Sequence, residues 1–323
     1  MEALLHNPIF VNKKVKELKI NINNAVYKTA IVILNWNGLA DTVDCLLSIE
    51  KYCINEDFLI VLVDNNSSQS IATLIEANWN IPVLIIKNDE NSGFAEGNNI
   101  GVRVALGYKP EYILLLNNDT ILLDNLLVRM TDIMVRYDKV GVAGAVNYYY
   151  SNPDEVWQAG ASASIITGSI KQIEVDPSKE IMEMDYVPGS SIMFRALLAD
   201  KIGLLDPNFF AYSEELDFCL RAKAAGYGVV CVTGAKILHK VGKSSPNAAK
   251  EYLRLRNKFY LYKRHSTASN FIKISVKQTL KALAKASVQM IKKGTFVYYS
   301  SIYYAIKDYK AGFFGKGRFE KFL

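Results

Sequence analysis

Residues 112–120, with the sequence YILLLNNDT, decide the fold. A short apolar run followed at once by turn-forming residues is typical of a parallel-sheet strand that is buried on both faces. Ligands of open α/β sheets lie beyond the carboxyl ends of such strands. Asn117, Asn118 and Asp119 are therefore predicted at a ligand site, where an aspartate can hold a hard cation such as Mg²⁺. The alternative is that Asp119 only caps the next helix.

Three earlier apolar segments, at residues 27–34, 58–63 and 82–86, have the same character. Helical patterns separate them, the first with Asp41 as its predicted cap, and this alternation predicts βαβ units and a mostly parallel sheet flanked by helices. Each segment is followed, directly or after one residue, by Asn or Asp. The resulting crevice suits a nucleotide, with amides and carboxylates for base and ribose and backbone N–H groups near Gly93 for phosphate. Gly93 and Gly97 match neither the dinucleotide-binding nor the P-loop pattern.

The composition indicates a globular protein. The chain has 323 residues, of which 50% are hydrophobic, and its four cysteines lack C-x-x-C spacing. No leader pattern opens the chain and no apolar run reaches the length of a membrane span, so a reducing, cytoplasmic compartment is expected. We predict an N-terminal arm over residues 1–25, a catalytic domain over 26–246 and a basic helical region over 247–323.

An acidic helix is predicted from residue 214, after the aromatic stretch FFAY and with Ser213 as its cap. Glu214, Glu215 and Asp217 suit the helix dipole, and Asp217 can pair with Arg221. Carboxylates beside aromatic rings lose solvation, which raises the pKa of one used as a general base.

His239 follows a short apolar segment and precedes the basic loop KVGKSS. Its position at a predicted strand end suits either a structural role or a place in a cation site.

Charge is distributed unevenly along the chain. Residues 236–323 hold 20 lysines and arginines against three acids, a balance of +17, whereas the preceding residues balance at −11. Within this region residues 271–293 predict an amphipathic basic helix, and the aromatic residues Phe296, Tyr298, Tyr299, Tyr303, Tyr304, Phe313 and Phe314 follow it. We expect this helix to dock on an anionic membrane; the alternative is that its apolar stripe packs on the catalytic domain. No nucleic-acid-binding signature accompanies the lysines.

Taken in order, the motifs VILNWNG, VDNNSSQ, NSGFAEGNNIG, LLLNNDT, PGSSIMFR, SEELDFCLRAKAAGY and HKVGKSS resemble the family 2 glycosyltransferases of the GT-A fold, in particular their rhamnosyltransferase-like branch. The similarity covers roughly residues 28–264. It implies an inverting, metal-dependent enzyme that uses a nucleotide-sugar donor such as a dTDP- or UDP-sugar. It implies that Asn35, Asp64 and Asn91 lie around the base and ribose and that Asn117 can bond a ribose hydroxyl. The strand ends and the loop near Gly93 add Asn66, Gly93 and Asn118 to the predicted donor site.

The resemblance also assigns the metal and the base. The D-x-D signature of the fold reads Asn117-Asn118-Asp119, so an amide replaces the first carboxylate and Asp119 keeps the metal-binding role, with His239 as an additional ligand of a divalent cation (Mg²⁺ or Mn²⁺). The Glu-Asp base motif reads Glu214-Glu215. Glu215 is the expected base, and Glu214 or Asp217 the supporting group.

The resulting hypothesis is a glycosyltransferase that acts on a lipid-linked or polysaccharide acceptor, in cell-surface or cell-wall glycan synthesis, as a peripheral protein at the inner face of the cell membrane. A nucleotidyltransferase of similar topology is one rival, although the loop NWNGLAD lacks the Gly-rich, basic character that such an enzyme requires. A non-catalytic scaffold protein that binds nucleotide sugars is the other.

Overall fold

A computed structural model describes residues 16–22, 26–69, 71, 74, 79–241 and 247–323. The predicted arm therefore lies largely outside the described residues, as does the loop at 242–246. Thirteen strands are described: β1 Lys16–Ile20, β2 Thr29–Asn35, β3 Phe58–Asp64, β4 Val83–Lys87, β5 Tyr112–Asn117, β6 Thr120–Leu122, β7 Val140–Tyr149, β8 Asn152–Gln158, β9 Ala161–Ser164, β10 Ser169–Gln172, β11 Ile181–Glu183, β12 Ser191–Arg195 and β13 Gly228–His239.

The described α-helices cover the sheet and form the C-terminal region. They are α1 Leu39–Cys53, α2 Gly93–Leu106, α3 Leu126–Arg136, α4 Leu198–Ile202, α5 Glu214–Ala224, α6 Asn247–His265, α7 Ala268–Lys293 and α8 Val297–Lys310. The mixed α/β class and the first four predicted strands are confirmed, with shifts of one or two residues at their ends. None of the helices in the described part of the chain combines the length and apolar composition that a membrane span needs.

Eleven of the described strands form one sheet in the order β1-β4-β3-β2-β5-β12-β7-β13-β11, with β6 beside β13 and β8 beside β7. The pairs β2–β3, β2–β5, β3–β4 and β7–β13 are parallel. The strand β12 runs antiparallel between β5 and β7, so that β2, β3, β4, β5, β7 and β13 all point the same way. Their carboxyl ends therefore meet at one edge of the sheet.

Two hydrophobic clusters fill the two sides of this sheet. Alternate residues of the same strand belong to different clusters, as Ile31 and Val32 of β2 do, which is expected because successive side chains of a strand point to opposite faces. β3 is buried along its whole length. This burial on both faces explains why its sequence is continuously apolar, FLIVLV, up to the terminal Asp64 rather than alternating.

The C-terminal helices pack on the segment that precedes α5. Tyr252, Leu253 and Phe259 of α6 share a hydrophobic cluster with Phe210, with residues of α8 and with the C-terminal Phe319 and Phe322. Packing therefore crosses the predicted boundary between residues 246 and 247.

One of the predicted helix caps is wrong. Gly38 is the N-cap of α1, and Asp41 lies in the first turn, where its carboxylate accepts a hydrogen bond of 3.0 Å from Lys240 Nζ. The partner is 199 residues away in the sequence, and local patterns do not indicate it.

Candidate active site

The carboxyl ends of the six co-directional strands bring the predicted site residues to one edge of the sheet. Asn35 ends β2, Asp64 ends β3, Asn117 ends β5 and His239 ends β13. This is the edge at which open α/β sheets bind ligands.

Asn35 and Asp64 form the buried floor of this crevice. Asn35 Nδ2 donates to Asp64 Oδ1 and to Ser67 Oγ, both at 3.1 Å. The Oδ1 atom of Asn35 accepts hydrogen bonds from the Gly38 N–H at 3.2 Å and from Thr42 Oγ1 at 3.1 Å. The orientation of the Asn35 amide is thereby fixed. Asp64 Oδ2 is buried and has no hydrogen-bond partner among the described residues.

Asn65 organises the neighbouring loop, a role that the sequence does not indicate. Its Oδ1 accepts from Asn88 Nδ2 and from the Ser92 N–H, both at 3.0 Å, and its Nδ2 donates to Asn91 Oδ1 at 2.9 Å. Asn65 is buried, whereas the predicted donor residue Asn66 is exposed with φ of 62°. A run of two asparagines gives no sequence signal for which one points inward.

Gly93 begins α2, and its backbone conformation requires glycine. Its φ is +80°, and a Cβ atom there would lie 2.4 Å from Phe210 Cδ2. The N–H groups proposed for phosphate have other partners: Gly93 N donates to Asn91 Oδ1 at 2.9 Å, and the N–H groups of Phe94 and Ala95 donate to the Phe210 carbonyl at 2.6 and 3.1 Å. The expectation that they are free to hold phosphate is therefore not met.

Asn117 and Asn118 connect the crevice to the sheet. Asn118 Nδ2 donates to Thr42 Oγ1 at 2.9 Å and to the Gly38 carbonyl at 3.2 Å, which ties β5 to the start of α1. The Asn117 N–H donates to the Ser190 carbonyl at 2.9 Å. The PGSS segment thus lies directly beside the NND sequence.

Asp119 and His239 meet although 120 residues separate them. Asp119 occupies the turn between β5 and β6, and its Oδ1 lies 3.0 Å from His239 Nε2. The Lys240 N–H also donates to the Asp119 carbonyl at 2.9 Å, and the Trp157 ring packs edge-on against the imidazole at 4.6 Å between centroids. Asp119 does not cap a helix, because Asn125 is the N-cap of α3 and its side chain accepts from the Val128 N–H.

The donor set at this position, one carboxylate oxygen and one imidazole nitrogen, fits a divalent cation, because carboxylate suits Mg²⁺ and Mn²⁺ and imidazole suits first-row transition metals. His239 Nδ1 is buried and without a hydrogen-bond partner among the described residues. Within the described ranges, no group of three or more His, Cys, Asp or Glu side chains is placed to hold a metal ion. Two protein ligands are the number expected of a cation that also binds substrate phosphates.

Glu214 and Glu215 open α5, and both carboxyl groups are poorly solvated. Burial raises the pKa of Glu214 well above its ordinary value, and the neighbouring Glu215 raises it further. Burial also raises the pKa of Glu215. The Oε2 atoms of both are buried without a partner in the described part of the chain. A Cβ atom built on Gly189 would lie 3.7 Å from Glu215 Cβ, so Glu215 borders the PGSS segment.

Asp217 has different surroundings. Its carboxylate is fully buried and receives hydrogen bonds of 2.8 Å from Arg221 Nε and from His265 Nε2. Burial alone would raise the pKa of Asp217, but the His265 hydrogen bond and the Arg221 charge bring it below the ordinary value. The predicted pair with Arg221 is confirmed. Ser213 is at the N-cap position as predicted, but in a left-handed conformation and with no side-chain capping bond.

Buried polar atoms without partners concentrate in this crevice. Six such side-chain atoms occur among the described residues, and four of them belong to Asp64, Glu214, Glu215 and His239. Beside His239, a cleft of about 320 Å³ is lined by Tyr149, Tyr150, Ser151, Lys240 and Val241.

Comparison with known proteins identifies the family. The model of glycosyl transferase family 2 matches residues 30–201, which is more than half of the chain. The chain belongs to glycosyl transferase family 2. The matched range ends before α5 and β13, so Glu214, Glu215 and His239 of this family 2 chain lie beyond it.

Two relatives resemble the family 2 chain at low identity. The low-salt glycan biosynthesis hexosyltransferase Agl10 of Haloferax volcanii is 26% identical over 212 residues, which are 62% of this chain and 65% of the relative. The chain therefore spans slightly under two thirds of Agl10. The dTDP-rhamnosyl transferase RfbF of Shigella flexneri is 19% identical over 309 residues, 92% of this chain and 99% of the relative.

A solved structure confirms the GT-A fold of the family 2 chain. The mannosyltransferase PcManGT from Pyrobaculum calidifontis, determined in complex with GDP-Man and Mn²⁺, aligns with a TM-score of 0.56 at 12% identity. The alignment covers 96% of this chain and 92% of that one. The C-terminal helices are therefore included in the aligned part.

Proposed function

We propose that this chain transfers a sugar from a nucleoside diphosphate to an acceptor hydroxyl, with inversion at the anomeric carbon. The proposal rests on the group of buried polar atoms without hydrogen-bond partners, among the described residues, on Asp64, His239, Glu214 and Glu215. A buried polar atom without a hydrogen bond costs about 1–3 kcal/mol. Such atoms are expected together where a ligand supplies the missing bonds.

The donor is a dTDP- or UDP-linked sugar, and dTDP-rhamnose is the first candidate. RfbF, a dTDP-rhamnosyl transferase, resembles the chain over nearly its whole length. The amides of Asn35 and Asn65 hold Asp64 and Asn91 in place, and the buried Asp64 Oδ2, which has no partner among the described residues, can accept a hydrogen bond from the nucleobase or ribose. PcManGT, which was solved with GDP-Man, supports a nucleotide-sugar donor in general.

Asp119 and His239 would hold the divalent cation. A cation bound there would neutralise charge on the diphosphate as it leaves. The Asp119 Oδ1 and His239 Nε2 atoms lie 3.0 Å apart, and the Lys240 N–H holds the turn that carries Asp119. This proximity supports the assignment of both side chains to one cation.

Glu215 is the general base. Its carboxylate takes the proton of the acceptor hydroxyl as the new glycosidic bond forms and the bond to the diphosphate breaks. Burial that raises its pKa improves a carboxylate as a base near neutral pH. Glu214 lies deeper, and its raised pKa favours the protonated form, so that it supports Glu215 without adding a second negative charge.

The test is release of nucleoside diphosphate from dTDP-rhamnose, UDP-N-acetylglucosamine and GDP-mannose, with Mn²⁺ and an extract of lipid-linked saccharides. We expect release from at least one donor, and Glu215→Gln should slow it by about 10²–10⁴-fold, the usual contribution of a positioned base. The exposed Glu174→Gln is the matched control and should retain full activity. Release from no donor, or condensation of a sugar phosphate with a nucleoside triphosphate instead, would contradict the proposal.

We also propose that α7 docks on an anionic membrane, which would bring the site to a lipid-linked acceptor at the inner face of the cell membrane. The predicted apolar stripe is exposed: Ile272 is 63%, Leu280 61% and Ile291 80% accessible to solvent. The inward face of the helix consists of Ile274, Gln278 and Ala286 instead. The stripe therefore does not pack on the catalytic domain, which was the alternative to docking.

Charge supports an anionic surface as the partner. Lysines flank the stripe at positions 273, 277, 281, 285 and 292, and basic residues contribute about 1 kcal/mol each near such a surface. Of the predicted interfacial aromatics, Phe296, Tyr303 and Phe313 are exposed. Tyr298 is buried and belongs to the C-terminal hydrophobic cluster, so its predicted interfacial role is wrong.

Co-sedimentation with vesicles tests this docking. We expect binding to phosphatidylglycerol-containing vesicles, weaker binding at high salt, and little binding to phosphatidylcholine alone. The triple variant Ile272→Ser, Leu280→Ser, Ile291→Ser should lose it. The control Leu47→Ser, Val135→Ser removes exposed apolar side chains of α1 and α3 and should leave the binding intact. Equal partitioning to neutral and anionic vesicles, or none, would refute docking.

A further inference from the structure

The segment of residues 209–213 joins the acidic helix α5 to the donor-side loop, and its backbone is strained. Phe210, Tyr212 and Ser213 have φ values of 64°, 73° and 78°. Positive φ is unfavourable for residues with a side chain, most of all for bulky ones. At Phe210 the strain is a γ-turn with ψ of −61°, closed by a 2.8 Å hydrogen bond from the Ala211 N–H to the Phe209 carbonyl. Such conformations persist only where the surroundings impose them.

The surroundings that impose this conformation come from α6. Asn257 Nδ2 lies 2.8 Å from each of three carbonyl oxygens, those of Phe209, Ala211 and Tyr212. Arg256 Nη2 donates to the Phe209 carbonyl at 3.2 Å and to Asn257 Oδ1 at 2.9 Å. Both side chains are fully buried. Because three carbonyls face one end of the Asn257 amide and a guanidinium faces the other, only one orientation of the amide satisfies them.

The same segment contacts both halves of the crevice. On the donor side, the Phe210 carbonyl accepts from the N–H groups of Phe94 and Ala95, directly after Gly93. On the acceptor side, Ser213 is followed immediately by Glu214 and Glu215. A shift of this backbone would therefore move the proposed base relative to the donor loop.

We propose that Asn257, oriented by Arg256, is a positioning residue that fixes residues 209–213 and thereby sets the place of Glu215 in the reaction. The inference rests on the proposed function. According to this inference, the C-terminal region, which lies beyond the matched family range, fixes the position of residues in the site. A misplacement of about 1 Å in a reacting group can cost about 10²-fold in rate.

The test uses the full chain with Asn257→Asp, which keeps the shape of the side chain and replaces the donor group by an acceptor. The control is Gln278→Ala. Gln278 is also a buried amide of the C-terminal region, but it bonds to Lys258 and to the Gly168 carbonyl and does not contact residues 209–213. The first readout is amide hydrogen exchange, which needs no substrate. We expect faster exchange over residues 209–217 in Asn257→Asp and no such local change in the control.

The second readout is nucleoside diphosphate release as a function of pH. We expect kcat of Asn257→Asp to fall by about 10–10²-fold with the KM for donor nearly unchanged, and the acidic limb of its pH profile to move. The charged and titratable groups that face the glutamate pair are Asp217, Cys219, Arg254 and Tyr186, and the variant alters none of them. Because Asn257→Asp adds a carboxylate of its own, Asn257→Ala, which adds no charge, is measured beside it and should move the acidic limb as well.

Unchanged exchange over residues 209–217 would overturn the proposal. Faster exchange with a normal kcat and pH profile would also overturn it, because the contact would then only support the fold. Absence of release by the unsubstituted chain would instead overturn the proposed function, and hydrogen exchange alone would then decide whether Asn257 holds the segment.

Discussion

Replacing Glu214 by glutamine should stabilise the protein at alkaline pH. Burial and the adjacent Glu215 raise the pKa of Glu214 well above 4.5 in the folded state. The folded state therefore binds more protons than the unfolded state, and the free energy of unfolding falls as the pH rises from 4.5 towards the folded-state pKa. Each pH unit in that window costs about 1.4 kcal/mol. Glutamine has nearly the same shape and no charge, so it removes this cost.

The expected shift in melting temperature follows from the size of the chain. A protein of 323 residues has an unfolding entropy of roughly 0.7 kcal/mol per kelvin. The loss of about 1.4 kcal/mol per pH unit therefore lowers the melting temperature by about 2 °C per pH unit. Thermal unfolding of Glu214→Gln and of the unsubstituted protein, followed by circular dichroism at pH 8 and pH 4, measures the effect. We expect a higher melting temperature for the variant at pH 8 and almost none of that gain at pH 4. A gain of equal size at both pH values, or a loss at pH 8, would refute the reasoning.

Two further substitutions test the packing around the site. Asp217→Asn removes the buried partner of Arg221 and His265 and should lower the free energy of unfolding in urea by about 3–5 kcal/mol at pH 7. The folded-state pKa of Asp217 lies below its ordinary value, so the stability that this carboxylate contributes is present at neutral pH and is lost as the pH falls through the folded-state pKa. A decrease in the free energy of unfolding of under about 1 kcal/mol at pH 7 would argue against the network. Asn65→Ala leaves Asn88, Asn91 and the Ser92 N–H without their partner and should cost at least about 2 kcal/mol as well as weaken donor binding in a titration. Donor affinity equal to that of the unsubstituted protein would show that the Asn91 loop does not depend on Asn65.

The sequence predicted those features that repeat along the chain. Four apolar segments, each ending near Asn or Asp, predicted a parallel sheet with a polar edge, and β2, β3, β4 and β5 confirm it. It did not predict that β12 inserts between β5 and β7 in the opposite direction. Apolar runs of this kind are buried in either orientation, so the pattern carries no information about direction.

Contacts between distant residues were predicted only where a resemblance supplied them. The approach of His239 to Asp119 follows from the family pattern, whereas the bond between Lys240 and Asp41 has no local signal, and the cap assigned to Asp41 was wrong for that reason. The left-handed conformation of Phe210, Tyr212 and Ser213 also lacks a signal, because none is glycine and the groups that impose it lie about 45 residues later on α6.

The helical period of α7 was predicted correctly. That period does not determine which face of the helix packs against the rest of the protein. The stripe containing Ile272, Leu280 and Ile291 is the more apolar one, yet it is exposed, and the face with Ile274 and Gln278 packs inward. Gln278 bonds to Lys258 and to the Gly168 carbonyl there. A buried polar face of this kind depends on specific partners that hydrophobic periodicity does not register.

Calorimetric titration of dTDP-rhamnose and the UDP-sugars into the protein, with Mn²⁺ and with EDTA, tests whether the crevice is a cation-assisted donor site. We expect at least one donor to bind in Mn²⁺ and EDTA to abolish or strongly weaken its binding. Asp119→Ala should do the same, while its melting temperature without ligand stays close to that of the unsubstituted protein. Donor binding of equal strength in EDTA, or full binding by Asp119→Ala, would contradict a cation-assisted nucleotide-sugar site at the end of β5.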